Sequence, residues 1–311
     1  MQFTELRIVF MGTPEFAVAS LDALVQAGCI VVGVITAPDK PAGRGMQLQQ
    51  SAVKQYAVEK GLTVLQPERL RNPQFLEELK ALRADLQVVV AFRMLPEAVW
   101  NMPPMGTINV HGSLLPHYRG AAPINWAIIN GEKETGVTTF KLKHEIDTGD
   151  ILLQERIPIG ENETAGEVHD RMKEVGAALL VRTVQGLADG SLREVPQQSV
   201  IASEAHIKHA PKIFTDTCRI DWNQPAASIH NLIRGLSPYP AAFTLLQEKM
   251  LKIYKSEKEL KTPSHAPGEL VTDGKTYLKF ACADGYISVK ELQLAGKRKM
   301  SVEDFLRGFR A

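Results

Sequence analysis

Short apolar runs alternate with amphipathic stretches along the first half of the chain. The runs are rich in valine and isoleucine and occupy residues 7–12, 30–38, 62–67, 86–92 and 106–113, and the first three end at glycine or proline. Buried strands of a parallel sheet have this composition. Between the first four runs, residues 14–28, 51–61 and 72–82 carry apolar side chains at helical spacing. The alternation predicts an α/β fold with a doubly wound, mainly parallel sheet.

The predicted helices carry recognisable start and stop signals. Ser51 and Asn72 stand where a side chain would cap a helix N-terminus, and Gly28 and Gly61 stand where a helix would end. These signals agree with the helical spacing and strengthen the prediction.

The pattern continues with two more strands and a longer helix. Residues 136–142 and 151–159 predict strands, with a polar turn between them. Residues 164–187 predict a helix, with apolar positions at Val168 and Met172 that continue at helical spacing.

Periodicity then disappears, and a different pattern follows. Residues 190–206 predict a linker. Beyond it, a helix at 228–235 precedes short strands divided by glycine and proline turns, which is typical of a small barrel. The predicted organisation is an α/β domain at 1–189, this linker, and a smaller, OB-like β-barrel domain at 207–311.

Composition narrows the class of protein. Three scattered cysteines, Cys29, Cys218 and Cys282, fit neither a disulfide framework nor a zinc site, so we expect a reducing cytoplasm and no metal. Near the N-terminus, Glu5 and Arg7 precede only a short apolar run, which predicts neither a signal peptide nor a membrane helix.

Charge is unevenly distributed along the chain. Residues 1–206 contain 19 Lys and Arg against 24 Asp and Glu, whereas residues 207–311 contain 17 against 11. A basic C-terminal third favours an anionic macromolecule as partner. The alternative is that lysines of this third, namely Lys252, Lys255, Lys258 and Lys261, simply solvate one exposed surface.

Candidate chemistry lies where ligands of doubly wound sheets bind, beyond the carboxyl ends of strands. Asn109 and His111 alternate along one predicted strand and therefore share a face. Asp147 lies in the turn between two later strands. An imidazole that moves protons, a carboxylate that orients it and a carboxamide that donates to an oxyanion are suited to acyl transfer.

Each of these three residues also has a structural interpretation. His111 could satisfy loop carbonyls, Asp147 could simply form a turn before Thr148 and Gly149, and Asn109 could cap a local segment. Residue type and spacing leave both interpretations open.

Two longer motifs contain these residues. Residues 109–128 (NVHGSLLPHYRGAAPINWAI) and 144–152 (HEIDTGDIL) resemble the signatures of the folate-dependent formyltransferase family. The resemblance implies a Rossmann-like formyltransferase domain, 10-formyltetrahydrofolate as formyl donor, and Asn109, His111 and Asp147 as catalytic residues. It also implies a tetrahydrofolate contact formed by Ser113, Leu114, Leu115 and Pro116.

Segments outside the motifs are similar to the branch of this family that acts on methionyl-tRNA. They comprise residues 10–21, 39–45, 210–213 and 220–242, so the resemblance spans the chain. It implies formylation of the α-amino group of methionyl-initiator tRNA for translation initiation, by a cytoplasmic monomer without membrane attachment. The candidate tRNA-binding cations are Lys40, Arg44, Lys208 and Lys212, with Arg234 on the following helix.

Two departures and two rival functions accompany the resemblance. Many members have Ala-Tyr-Gly where this chain has Ala91, Phe92 and Arg93, a change expected to alter a wall of the folate pocket. Residues 46–50 lack the lysines that members often carry there. The first rival is a formyltransferase or hydrolase with another amine or water as acceptor. The second is an RNA- or folate-binding protein without catalysis.

Overall fold

The computed structural model describes residues 2–42, 47–201, 203 and 206–309. Its strands, in chain order, are β1 (Arg7–Gly12), β2 (Ile30–Ile35), β3 (Lys40–Ala42), β4 (Gln47–Gln49), β5 (Val64–Leu65), β6 (Leu86–Val90), β7 (Thr107–His111), β8 (Arg119–Gly120), β9 (Glu134–Lys141), β10 (Ile151–Pro158), β11 (His209–Ala210), β12 (Ala242–Leu246), β13 (Lys249–Glu259), β14 (Leu270–Thr272), β15 (Leu278–Ala281), β16 (Tyr286–Leu294) and β17 (Met300–Ser301). The α-helices are α1 (Glu15–Gln26), α2 (Ala52–Glu59), α3 (Pro73–Ala81), α4 (Glu97–Trp100), α5 (Pro123–Ile129), α6 (Ala165–Asp189), α7 (Ala226–Leu236) and α8 (Val302–Leu306).

The chain divides into two compact units. The first comprises Met1–Arg119, Gly136–Ile157 and Asp170–Lys208, and the second comprises Gly120–Thr135, Pro158–His169 and His209–Ala311. Two segments from the first 189 residues thus join the second unit. The boundaries predicted from the sequence, at residues 189 and 207, stay a prediction.

A seven-stranded sheet forms the centre of the first unit, in the order β10-β9-β7-β6-β1-β2-β5. β1, β2, β5, β6 and β7 run parallel, and β9 is antiparallel to β7. The chain winds outward from β1 to β5 and then returns to β6, so its winding reverses between β1 and β6. The predicted doubly wound, mainly parallel sheet is confirmed.

Close packing at the reversal point requires small residues. A Cβ atom at Gly12 would lie 2.7 Å from Ala17 Cβ and 2.9 Å from the Val90 carbonyl oxygen. On the long helix, a Cβ at Gly176 would lie 3.3 Å from Val110 Cγ1, so α6 crosses the β7 region closely. These contacts hold the carboxyl ends of β1, β6 and β7 in a fixed relation.

The predicted helix signals are confirmed. The Ser51 side chain accepts a hydrogen bond from Lys54 N at 3.0 Å, and Asn72 Oδ1 accepts one from Gln74 N at 2.9 Å. Gly28 and Gly61 have φ values of +82° and +67°, the left-handed conformation that ends a helix.

A curled antiparallel sheet in the order β12-β13-β16-β15-β14, with β17 paired to β16, forms a half-barrel in the second unit. Its core includes Ile229 and Ile233 of α7, Leu251 and Ile253 of β13, and the helix α8. The predicted small β-domain is therefore confirmed. Among the described helices, none is both long and apolar enough to span a membrane.

Candidate active site

The strand β7 brings the first two candidate residues to the carboxyl edge of the sheet. Asn109 and His111 are two residues apart, so their side chains leave the same face of the strand. β7 lies beside β6, with Asn109 opposite Val89, and on its other side His111 is opposite Thr138 of β9. Among the described residues, no hydrogen-bond partner is found for the Asn109 carboxamide, so its N–H groups are available to a ligand.

The His111 imidazole is buried, with 7% of the residue exposed, and has a polar partner near each ring nitrogen. Its Nε2 lies 2.9 Å from the Tyr118 carbonyl oxygen, and its Nδ1 lies 3.8 Å from Asp147 Oδ2. A carbonyl oxygen only accepts hydrogen bonds, so Nε2 carries the hydrogen in the neutral ring. Nδ1 is therefore the nitrogen that gains or loses a proton, and it faces the Asp147 carboxylate.

The loop that presents Asp147 is closely fixed. Asp147 has φ +55°, the left-handed region that Asp tolerates better than most residues. Thr148 Oγ1 donates to the Glu145 carbonyl at 3.0 Å. A Cβ atom at Gly149 would lie 1.6 Å from the Lys141 carbonyl oxygen, so only glycine fits there. The side chain of Asp147 is 11% exposed, so its carboxylate faces His111 from a nearly buried position.

The four residues predicted to contact folate form a packed turn after β7. Ser113 is fully buried, and its hydroxyl donates to the His117 carbonyl at 2.7 Å. Thr138 Oγ1 lies 2.7 Å from the Ser113 carbonyl oxygen and 3.1 Å from Leu115 N. Leu115 and Pro116 are buried and Leu114 is partly exposed. Leu114 therefore presents the most accessible side chain of the turn, and the others fix its shape.

Two side chains that the sequence interpretation missed lie behind the loops. Gln197 Nε2 donates to the carbonyls of Asp147 and Gly149, each at 2.8 Å. Arg119 donates to Gln197 Oε1 from Nε at 3.1 Å and from Nη2 at 2.7 Å. Gln197 belongs to the predicted linker, where a polar residue without periodicity carries no signal of a tertiary contact.

The departure at Phe92 and Arg93 has a structural explanation. The Arg93 guanidinium donates to the carbonyls of Pro67 and Glu68, and it lies 5.5 Å from the centre of the Phe92 ring. Phe92 packs against the core that includes Val89. Arg93 therefore ties the segment after β6 to the turn after β5. Its effect on a folate pocket stays a prediction.

Three of the four predicted tRNA-binding cations lie in the described part of the chain. Lys40, Lys208 and Lys212 are exposed, and Lys212 Nζ lies 5.6 Å from the centre of the Phe214 ring. The Lys208 carbonyl accepts a hydrogen bond from Tyr118 N at 2.5 Å, which attaches Lys208 to the turn that contacts His111. Arg44 lies outside the described residues.

Arg234 is a correction to the sequence interpretation. It is only 6% exposed, and its Nη1 donates to the carbonyls of Gly160 and Glu163, both at 3.1 Å. Its neighbour His230 is also buried, and burial lowers the pKa of His230 to about 4. Arg234 therefore holds a loop within the second unit and is not part of an exposed basic surface.

Thiol chemistry does not suit the three cysteines, of which Cys218 and Cys282 are buried and Cys29 is partly buried. Burial raises the pKa of Cys29 to about 11 and also raises the pKa of Cys218 and of Cys282. The thiolate, which is the nucleophilic form, is therefore disfavoured at each position. Asn109, His111 and Asp147 therefore stay the candidates for acyl transfer.

Solved structures share this fold at low sequence identity. An N-formyltransferase from Helicobacter canadensis, in complex with folinic acid and dTDP-3-aminofucose, is 21% identical with a TM-score of 0.69, covering 95% of this chain and all of that one. HypX from Aquifex aeolicus in complex with tetrahydrofolic acid is 18% identical with a TM-score of 0.66, covering 97% of this chain and 48% of that one.

Sequence comparison is more specific. The family model described as formyl transferase matches residues 6–184, and the formyl transferase C-terminal domain matches residues 212–310. A methionyl-tRNA formyltransferase from Parabacteroides distasonis is 57% identical, covering all of this chain and 98% of the relative. One from Bacteroides fragilis is 53% identical, covering 99% and 97%. The chain therefore belongs to the methionyl-tRNA formyltransferase family.

Proposed function

We propose that the chain transfers the formyl group of 10-formyltetrahydrofolate to the α-amino group of methionyl-initiator tRNA, and that Asn109, His111 and Asp147 catalyse the transfer. The observation that carries the proposal is the His111 imidazole, held between the Tyr118 carbonyl and the Asp147 carboxylate at the end of β7. Translation is initiated in the cytoplasm, so an enzyme that acts on initiator tRNA is expected there, and we propose a cytoplasmic location for the chain.

Proton transfer is assigned to His111 Nδ1. The attacking amine must be neutral, and a free α-amino group titrates near ~7.7–8, so only a modest bias by a base is required. Because Nε2–H points to the Tyr118 carbonyl, Nδ1 accepts the proton that the amine loses. The Asp147 carboxylate stabilises the imidazolium that results. Nδ1 then returns the proton to the departing folate nitrogen.

Stabilisation of the negative charge that forms on the formyl oxygen is assigned to Asn109. Attack on the formyl carbon forms a tetrahedral intermediate whose oxygen becomes negative. The Asn109 carboxamide lies on the same face of β7 as His111 and can donate an N–H to this oxygen. The turn at residues 113–116, which is predicted to contact folate, is fixed by internal hydrogen bonds and would hold the folate in one orientation.

The choice of acceptor tests the proposal against its rivals. We expect release of tetrahydrofolate from 10-formyltetrahydrofolate to require methionyl-tRNA. Release in water alone, or with a free amine such as methionine or an amino sugar at an equal rate, would favour the hydrolase or the other-amine alternative. Binding of both substrates without release would favour a protein without catalysis.

Positive charge at Lys208 and Lys212 is expected to contribute to tRNA affinity. We expect Lys208→Glu and Lys212→Glu each to weaken methionyl-tRNA binding by about tenfold at low salt, with the defect shrinking as salt rises, because phosphate contacts release counterions. Fluorescence titration at several salt concentrations measures this effect. The full chain is used because segments before residue 189 belong to the second unit. Lys80→Glu, an exposed lysine of α3, is the matched control, and an equal effect of that change would contradict a specific role.

Arg44 is proposed to contact the acceptor end of the tRNA. We expect Arg44→Ala to raise the apparent KM for methionyl-tRNA several-fold, because one phosphate or base contact is lost, while the Kd for folate stays within about twofold. Steady-state kinetics with each substrate varied in turn measures both constants. Arg71→Ala, an exposed arginine of the same unit, serves as the control. An unchanged KM for tRNA in the Arg44 variant would rule out the contact.

A further inference from the structure

The segment predicted to be a linker, residues 190–206, is bonded to the rest of the first unit and carries a buried glutamine. Val195 and Ile151 exchange two backbone hydrogen bonds, at 2.8 and 2.9 Å. Glu194 forms an ion pair with Lys141 at 2.7 Å. Directly after this attachment, Gln197 begins a short 3-10 helix and is only 2% exposed. A linker that served only to span two domains would require none of these contacts.

All four hydrogen-bonding positions of the Gln197 carboxamide are used. Nε2 donates to the carbonyls of Asp147 and Gly149, and Oε1 accepts both Nε–H and Nη2–H of Arg119. Carbonyl oxygens only accept and a guanidinium only donates, so the orientation of the amide is fixed by its partners. Only glutamine combines these two donors and this acceptor at the same reach.

These contacts connect the two loops that flank the catalytic imidazole. On one side, Asp147 faces His111 Nδ1, and the carbonyl of Asp147 is bound by Gln197. On the other side, the Tyr118 carbonyl meets His111 Nε2, and the next residue, Arg119, is bound to the same glutamine. One buried side chain thus bridges the two loops that carry the partners of the imidazole.

We propose that Gln197 is a positioning residue for formyl transfer, which holds the Asp147 loop and the turn at Tyr118 and Arg119 in register on either side of His111. The inference rests on the proposed function, because it assigns Gln197 an effect through Asp147. Asp147 has a left-handed backbone and a carboxylate 3.8 Å from Nδ1. A small relaxation of its loop therefore changes the distance on which stabilisation of the imidazolium depends.

Removal of the amide leaves two carbonyls, of Asp147 and Gly149, without their donor and a guanidinium without its acceptor. A misplacement of about 1 Å near a reacting group can cost about 10²-fold in rate. We therefore expect Gln197→Ala to slow single-turnover formyl transfer by about 10–100-fold. The Kd values for folate and methionyl-tRNA should stay within about threefold, since Gln197 is buried and bonds only to two backbone carbonyls and the Arg119 guanidinium.

A double-mutant cycle with Asp147 distinguishes positioning from support of the fold. Gln197→Ala and Asp147→Asn are measured singly and together in single-turnover assays, with the active-site concentration determined by folate titration. If Gln197 acts through Asp147, Gln197→Ala should change the rate of the Asp147→Asn enzyme by less than about threefold. Gln197→Glu retains the contact with Arg119 but lacks the two N–H donors. If the alanine variant does not fold, Gln197→Glu replaces it in the same double-mutant cycle.

The possible outcomes separate this inference from the function on which it rests. Ser199→Ala, in the same 3-10 helix, removes an exposed hydroxyl bonded to the Pro196 carbonyl and should leave the rate unchanged. A Gln197 variant that unfolds at lower temperature but keeps the wild-type rate would overturn the inference, as would equal rate losses in both backgrounds. A wild-type rate for Asp147→Asn alone would instead contradict the catalytic role of Asp147.

Discussion

Replacement of His111 by alanine is expected to slow formyl transfer by about 10²–10⁴-fold, the usual contribution of a general acid–base residue. The reason is that His111 Nδ1 is the atom proposed to take up and return the proton, and it faces the Asp147 carboxylate while Nε2 bonds to the Tyr118 carbonyl. Asn109→Ala should cost about 10²–10³-fold, because an oxyanion donor is removed. Asp147→Ala should also cost at least about 10²-fold, since the imidazolium loses its counter-charge.

Single-turnover rates and folate dissociation constants, measured on the same preparations, check these expectations. Folate binding should survive each change, because the roles proposed for the three side chains stabilise the transition state more than the bound ground state. His144→Ala is the matched control, a histidine on the Asp147 loop that is 74% exposed and packs on Trp100. Rates within about threefold of wild type for all three variants would contradict the catalytic assignment.

Gly149→Ala is expected to reduce turnover as severely as the loss of a catalytic residue. The added methyl group would lie 1.6 Å from the Lys141 carbonyl oxygen, so the loop must move. The carbonyl of Gly149 is bound by Gln197, and Asp147 is two residues away, so the carboxylate moves with the loop. We expect a loss of about 10²-fold or more in single-turnover rate, and a stability loss of about 1–3 kcal/mol from overpacking.

Thermal unfolding and transfer rates of the Gly149 variant test this expectation together. Gly308→Ala is the control, since a Cβ there meets no atom within 4 Å and its φ is not left-handed. A folded Gly149→Ala enzyme with the wild-type rate would mean that the loop does not position Asp147.

Periodicity and composition predicted the strands and helices that are long and buried. β1, β6 and β7 each lie within a predicted run, and the cap residues Ser51 and Asn72 bond as expected. Such elements are determined by local preference and by burial of their apolar side chains, so a single sequence carries enough information. The placement of Asn109 and His111 on one face of β7 followed from strand geometry alone.

Contacts between segments distant in the chain could not be predicted from the sequence. Arg234 was expected on an exposed basic surface, yet it is buried against the Gly160 and Glu163 carbonyls, because a cation can be satisfied by backbone acceptors that sequence does not place nearby. Gln197 was placed in a linker, and its bonds join residues that are 48 to 78 positions away. Polar side chains that bind backbone groups of distant segments have no periodicity, unlike local helix caps, so no sequence pattern indicates them.

Transfer of a labelled formyl carbon is the most direct test of the central claim. The donor is 10-formyltetrahydrofolate with ¹³C in the formyl group, the acceptor is methionyl-initiator tRNA, and the product is examined by mass spectrometry after deacylation. We predict that the wild-type chain places the label on the methionine α-amino group, with one tetrahydrofolate released per label, and that His111→Ala does so at least about 10²-fold more slowly. Label recovered as free formate, or an unchanged rate in the His111 variant, would contradict the account.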